Sequence, residues 1–298
     1  MLKRKPRVPV FLTGPPRIIL GVAGVINSPR NLEDLLRSLE RIQEVSLLAF
    51  LSIELIITGF LIVIVGPPLI NALTNGVKPP TLSFLRASVE KYIGISFLGL
   101  ILIFAGVIIF TRAVSEGLIH GVDGLGDWSP EFNSSARLLH LLRIGVVVSF
   151  VGLLAMIVGM SNPLLSAAAL LITGVVMLNP RLNGSRREYY SKYKPTPYCA
   201  RVFTGSTLIM LGVLTYISTH SIFTGAIAIL LGGFLLLLSS IGLATLLIGL
   251  DKAFKSPALW VASVISITVV FLPITFLMMY IEIPELARKI EAGLVPVV

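Results

Sequence analysis

Residues 144–180 contain no ionisable side chain. As one α-helix they would extend about 55 Å at 1.5 Å per residue, almost twice the roughly 30 Å hydrocarbon core of a bilayer. Ser161-Asn162-Pro163 divides the run, because proline cannot continue a helix and serine and asparagine favour turns. The run from Val202 to Leu250 is also too long for one crossing, and Ser218-Thr219-His220-Ser221 divides it. The same reading along the chain gives seven spans, at about 46–66, 92–111, 144–160, 163–179, 202–219, 222–250 and 258–281. The expected fold is therefore all-α: a polytopic transmembrane helix bundle.

Composition points the same way. Only 13% of residues are charged, about half the share in a soluble domain. The N-terminal Lys3-Arg4-Lys5-Pro6-Arg7 is basic, but the apolar stretch behind it is interrupted by Gly14-Pro15-Pro16-Arg17. That pattern fits a cytoplasmic tail beside anionic lipid better than a cleavable signal. With the N-terminus inside, nineteen of the 24 Lys and Arg fall in cytoplasmic segments and five outside, namely Lys78, Arg86, Lys91, Arg288 and Lys289. This bias supports seven crossings of the cell (plasma) membrane, with the C-terminus outside. Tyr92, Tyr198, Tyr216, Trp260 and Tyr280 stand near span ends, where an interfacial belt would.

The expected organisation is a basic tail plus interfacial helix over 1–45, the bundle over 46–281 and an outer tail over 282–298. Within the first part, Leu32, Leu35, Leu36, Leu39 and Ile42 share one face of an amphipathic helix over Asn31–Glu44. Such a helix suits the membrane surface, with docking of a cytoplasmic partner as the competing role. Pro284 and Gly293 suggest the start and stop of a second short helix. Loop 112–143, with Gly121, Asp123, Gly124, Gly126, Asp127 and Glu131, reads as a solvated turn. It matches neither a nucleotide fingerprint nor a calcium loop. Loop 180–201 is basic and aromatic, carrying Arg186, Arg187, Tyr189, Tyr190, Lys192, Tyr193 and Lys194. Lipid contact is its main reading. A cytoplasmic protein or nucleic acid is the lesser one, since the same mixture can grip phosphates and stack on bases.

Chemistry inside the spans is sparse. Glu54 is the only ionisable residue well inside one, and a charge at the bilayer centre costs roughly 2.5–3.5 kcal/mol on insertion scales. It is a candidate proton or ion site. It could equally be a structural carboxyl, protonated or paired with Arg112 near the end of the second span. Three histidines and the single Cys199 exclude an internal disulfide, and no residue set suggests a metal centre, a cofactor or an enzyme. Few Cys and Gln beside abundant Ile, Leu and Val is a composition seen in thermophiles.

Glycines recur seven apart at Gly59/Gly66, Gly99/Gly106, Gly145/Gly152/Gly159, Gly205/Gly212, Gly225/Gly232 and Gly242/Gly249. That spacing keeps one helix face small along a left-handed crossing. Arg143, Gly145, Gly152 and Ser161 are echoed near an offset of 60 by Arg201, Gly205, Gly212 and Ser221, as in a duplicated hairpin. The stretch from Arg112 to Leu154 resembles an archaeal family of multi-pass membrane proteins of unknown function. In that family a span ends on a basic residue, and a glycine-spaced loop follows with an acidic-x-x-Phe-like element, here Asp127 to Phe132. The resemblance implies an archaeal source and no activity. Two functions remain in view: a non-catalytic subunit or scaffold with membrane partners or further copies of itself, and a small transporter or translocation channel, for nucleic acid or proton-coupled through Glu54.

Overall fold

The structure is a computed structural model that describes residues 29–75, 91, 93–179, 196–218 and 220–292. Among these residues it is helical. The elements are α1 (Pro29–Ile64), α2 (Gly66–Asn75), α3 (Ile93–Ala113), a π-helical turn (Val114–Leu118), α4 (Ile119–Trp128), α5 (Phe132–Ser161) and α6 (Pro163–Leu178). There follow α7 (Thr196–Ser218), α8 (Ser221–Phe254), α9 (Pro257–Ser266), a 3-10 turn (Val269–Phe271) and α10 (Leu272–Glu291). Six helical stretches are long and apolar enough to cross a membrane. This establishes a multi-pass helical membrane protein, with six such stretches rather than the seven expected.

Of the expected spans, the fourth falls short and the last is replaced by a stretch further along, Val269–Glu291. The fourth forms α6, an apolar helix of 16 residues, about 24 Å long and short of a full crossing when upright. Its turn is built as the sequence implies. Asn162 caps α6, its side-chain oxygen accepting from the backbone N–H of Leu164 and Leu165 at 3.0 and 3.2 Å, and Pro163 occupies the first turn. The last expected span, 258–281, is not one helix. α9 stops at Ser266, Thr268 is extended, and α10 restarts with Pro273 in its first turn.

The two pieces fold back on each other. Ser240 of α8 donates to the Ile267 carbonyl at the tip (3.1 Å), and Ser256, just before α9, donates to the Glu282 carboxylate of α10 (3.4 Å). The α9–α10 hairpin thus turns beside the middle of α8 and returns to the end where α8 finishes. Phe276 meets Phe110 edge-on near the close of α3, at 6.2 Å between ring centres. Both described ends of the chain therefore stand at one end of the bundle. Among the described residues every Lys and Arg except Lys91 belongs to this basic end.

Three further expectations change. Residues 29–64 form one unbroken helix, so the amphipathic segment continues the first span instead of bending away along the surface. Its apolar face is covered by protein: Leu35, Leu39 and Ile42 are buried in one cluster with Val122 and Leu125 of α4 and Ile283 and Leu286 of α10. Pro284 lies inside α10 rather than starting a separate helix, and Leu286 and Ile290 are buried. Residues 112–128 are helical and largely buried, not a solvated loop. Gly117, Gly121 and Gly124 form one helical face there. A Cβ at any of them would collide with Val45, Ile42 or Ser38 of α1.

The seven-spaced glycines mark the closest helix crossings. α5 runs antiparallel to α8, α6 to α7, and α1 to α3. A Cβ on Gly152 would lie 2.7 Å from the Ile229 nitrogen and 2.8 Å from the Gly225 oxygen, both backbone atoms. On Gly174 it would lie 2.8 Å from the Gly205 oxygen, and on Gly59 2.6 Å from the Gly99 oxygen. Apolar side chains gain little by leaving lipid for protein, so such close packing and interhelical hydrogen bonds hold the bundle. The latter include Thr215 with Thr224 (2.6 Å) and Ser135 with Thr245 (2.9 Å). Gly233, next to a seam residue, has open space where its Cβ would be.

Two predictions follow from this packing. Gly152→Ala lowers stability in detergent by about 1–3 kcal/mol, because backbone must move apart. Gly233→Ala leaves it unchanged or raises it by up to about 1 kcal/mol through helix propensity. Thermal unfolding of the two variants checks the contrast. Lys255 caps α8 with a positive φ of 54°, a conformation that strains an L side chain by roughly 1–2 kcal/mol. Lys255→Gly therefore raises the unfolding midpoint in the same assay.

Candidate functional site

A cleft of about 560 Å³ opens at the basic end, between the start of α1 and the α3–π–α4 segment. One wall is a stripe of α1: Arg41, Glu44, Val45 and Leu48. The facing wall runs antiparallel through His120, Gly117, Ala113, Arg112, Ile109 and Ile108. The cleft carries charged side chains along its length, Arg41, Glu44 and His120 towards the basic end and Arg112 level with Leu48, while Leu48, Ile108 and Ile109 are half exposed.

The π turn sets this geometry. In a regular helix the eight steps from Arg112 to His120 would leave the two about 80° apart. A π turn takes up about one extra residue and rotates the following chain back by about 100°. Arg112 and His120 then face the same cleft. Each also holds an interaction within the protein. Further along, His140 is partly buried within electrostatic reach of His120, Arg143 and Arg201.

Glu54 is elsewhere. It is exposed on the outer face of α1, in a stripe with Leu51, Ile57 and Leu61. Arg112 does not pair with it and lines the cleft with Glu44 and Arg41. The register explains this: Gly106 crosses α1 at Ser52 and Ile56, so Arg112 lies nearer Ala49 than Glu54. Arg186, Arg187, Tyr189, Tyr190, Lys192, Tyr193 and Lys194 lie outside the described residues. Beyond that loop, Tyr198 and Cys199 are exposed at the start of α7. A second, shallower recess of about 400 Å³ at the α8–α9 junction is lined by Asp251, Lys252, Lys255, Pro257 and Trp260. Among the described residues no group of three or more His, Cys, Asp or Glu is placed to hold a metal ion.

Sequence reasoning did not single out Arg41, Glu44 or His120 for the cleft. The legible signal was the glycine spacing 117, 121, 124, which marks a helix face pressed on α1. The buried hydroxyls of the spans are mostly spent locally. Ser46, Ser52, Thr204, Ser239, Ser263 and Thr215 each donate to a carbonyl three or four residues back in their own helix.

No protein-family model, curated protein or solved structure matches the chain, and the resemblance read at Arg112–Leu154 gains no support from a family match. The fold and composition define the class, an integral membrane protein of several helical passes.

Because Glu54 is exposed on the outer face of α1, Glu54→Gln and Glu54→Leu change the stability of the isolated protein in detergent by no more than about 0.5 kcal/mol. Thermal unfolding in detergent measures this; a large loss would mean that the carboxyl is held internally.

Proposed function

We propose that the chain is a non-catalytic subunit of a cell-membrane complex, and that it meets a partner transmembrane helix on the outer face of α1. The observation that carries this is the exposure of Glu54 among Leu51, Ile57 and Leu61. In lipid that carboxyl has a strong incentive to find a donor. A neighbouring helix bearing a hydrogen-bond donor would supply one, and the flanking leucine and isoleucine side chains would pack around the pair.

The competing role as a transporter or channel has less behind it. Glu54 faces outward rather than into a cleft, and most of the buried span hydroxyls donate within their own helices. A polar substrate path calls for lining groups directed at the substrate.

In the arrangement we favour, α1, α3, α5, α6, α7 and α8 cross, while the α9–α10 hairpin enters and leaves by the cytoplasmic face. α6 crosses despite its length because it is packed along α7 and local thinning of the bilayer accommodates short spans. Both termini are then cytoplasmic. All of the 24 Lys and Arg except Lys78, Arg86 and Lys91 fall inside, a stronger bias than the seven-span arrangement gives.

Two measurements test this reading. Native mass spectrometry of the detergent-extracted protein should give a stoichiometric assembly that Glu54→Leu dissociates while the unfolding midpoint stays put. A lone, unmodified monomer for both forms would refute the subunit role. For the arrangement, green fluorescent protein fused after Val298 should fluoresce, as it does when cytoplasmic, and alkaline phosphatase at the same site should be inactive. The reverse pair would refute it.

A further inference from the structure

We infer that the recess where α8 gives way to α9 is a docking site for one anionic phospholipid. Lys252 and Lys255 would hold the headgroup phosphate, and an acyl chain would lie along Trp260, Val264 and Ile267. The recess measures about 400 Å³, within the usual range for a small-molecule site. Asp251 and Lys252 come to it from the last turn of α8, Lys255 from the cap, and Pro257 and Trp260 from the start of α9. An apolar stripe leads away from it along α9. Trp260, Val264 and Ile267 keep the i, i+4, i+7 spacing of one helix face, and each is about half exposed. Those seven residues, about 10 Å of helix, run from the recess to the hairpin tip, where the Ile267 carbonyl meets Ser240 of α8. No charged residue interrupts the stripe. A soluble phosphate would use the lysines alone; a ligand with charge at one end and hydrocarbon at the other uses the stripe as well.

The two cations are available. Both lysines are exposed, and among the described residues neither ammonium group is held in an ion pair or a hydrogen bond. Against them the recess has one carboxylate, the half-buried Asp251, so it stays positive. Glu282 is engaged by Ser256 and does not line the recess. Lys255 is the informative residue. It caps α8 at a φ of 54°, where glycine would close the helix without strain. Lysine at that position costs stability and sets a second cation beside Lys252, a strain that points to use of the side chain. The junction is also rigid. The Lys255 N–H donates to the Asp251 carbonyl at 2.6 Å, and the N–H groups of Leu259 and Trp260 donate to the Ser256 carbonyl at 3.0 and 3.4 Å. The recess is thus formed before a ligand arrives. Tryptophan suits the headgroup level, where its ring packs on hydrocarbon and its indole N–H remains a donor. The inference is independent of the partner proposed for the Glu54 face, because α1 contributes nothing to the recess.

The test uses the full chain in nanodiscs of phosphatidylcholine alone or with phosphatidylglycerol, and separately in detergent with inorganic phosphate. Phosphatidylglycerol should raise the unfolding midpoint by about 3 °C or more, and phosphatidylcholine and inorganic phosphate should not. Lys255→Gly is the decisive variant. It should raise the midpoint in lipid-free detergent and yet lower phosphatidylglycerol retention in native mass spectrometry by about fivefold, and Lys252→Gln should lower retention by a similar factor. Trp260→Ala should weaken retention with the charges intact. Arg288→Gln removes an exposed cation at the same end but outside the recess, and should leave retention unchanged. An equal loss with Arg288→Gln would reduce the effect to general surface charge and overturn the site. Undiminished retention in Lys255→Gly, or an equal shift with phosphatidylcholine, would overturn it too. An equal shift with inorganic phosphate would overturn the lipid as ligand.

Discussion

Backbone-to-backbone contact at the glycine crossings is the constraint on which the rest of the structure depends. At Gly152 and Gly225 each glycine lies where the other's Cβ would meet a carbonyl oxygen. The same holds for Gly59 with Gly99 and Gly174 with Gly205. These contacts fix three antiparallel pairs, α5 with α8, α6 with α7 and α1 with α3. Once the pairs are set, every other element has a defined level. The π turn lies beside Val45, α4 beside Ile42 and Ser38, and the tip of the last hairpin beside Ser240.

The basic end is the more elaborate half of the molecule. α4, the first turns of α1 and α5, and the α9–α10 hairpin build a core there that resembles a soluble protein's, with Leu39, Leu118, Leu139, Leu250 and Phe276 almost fully buried. Trp128 stacks on Phe132 and Phe254, at 6.1 and 5.8 Å between ring centres, and ties α4 to the ends of α5 and α8. The opposite half is a plain array of apolar helices with exposed Leu, Ile and Phe. Among the described residues the cleft lies at the basic end.

Much of the fold is legible in sequence because lipid leaves so few solutions. Asn162-Pro163 announces a turn that forms as expected, and the seven-spaced glycines announce the crossings where they occur. The last apolar run misleads for a physical reason. From Leu259 to Ile281 every side chain suits the hydrocarbon core, so length alone argues for one crossing. The roles of two prolines decide otherwise. Pro273 begins a helix and Pro284 sits within one, the opposite of the expected assignment. Loop 112–143 misleads in a similar way, since Gly121 and Gly124 look like turn residues until their helical spacing with Gly117 is seen. Glu54 was visible as an anomaly, but which way it faced depended on the α1–α3 register. The cleft was invisible, because no sequence pattern marks the π turn that closes it.

In the proposed arrangement the last apolar segment turns back rather than crossing. Cysteines at Ser256→Cys and Glu282→Cys, with Cys199 replaced by serine, test this in native membranes by oxidative or short bismaleimide cross-linking. The folded-back hairpin places these side chains within 3.4 Å, so the pair should cross-link rapidly within one chain. A single crossing helix would hold the two positions about 39 Å apart over 26 residues. Absence of the intrachain product, with both cysteines still reactive towards a monofunctional maleimide, would contradict the hairpin and the shared side of the two termini.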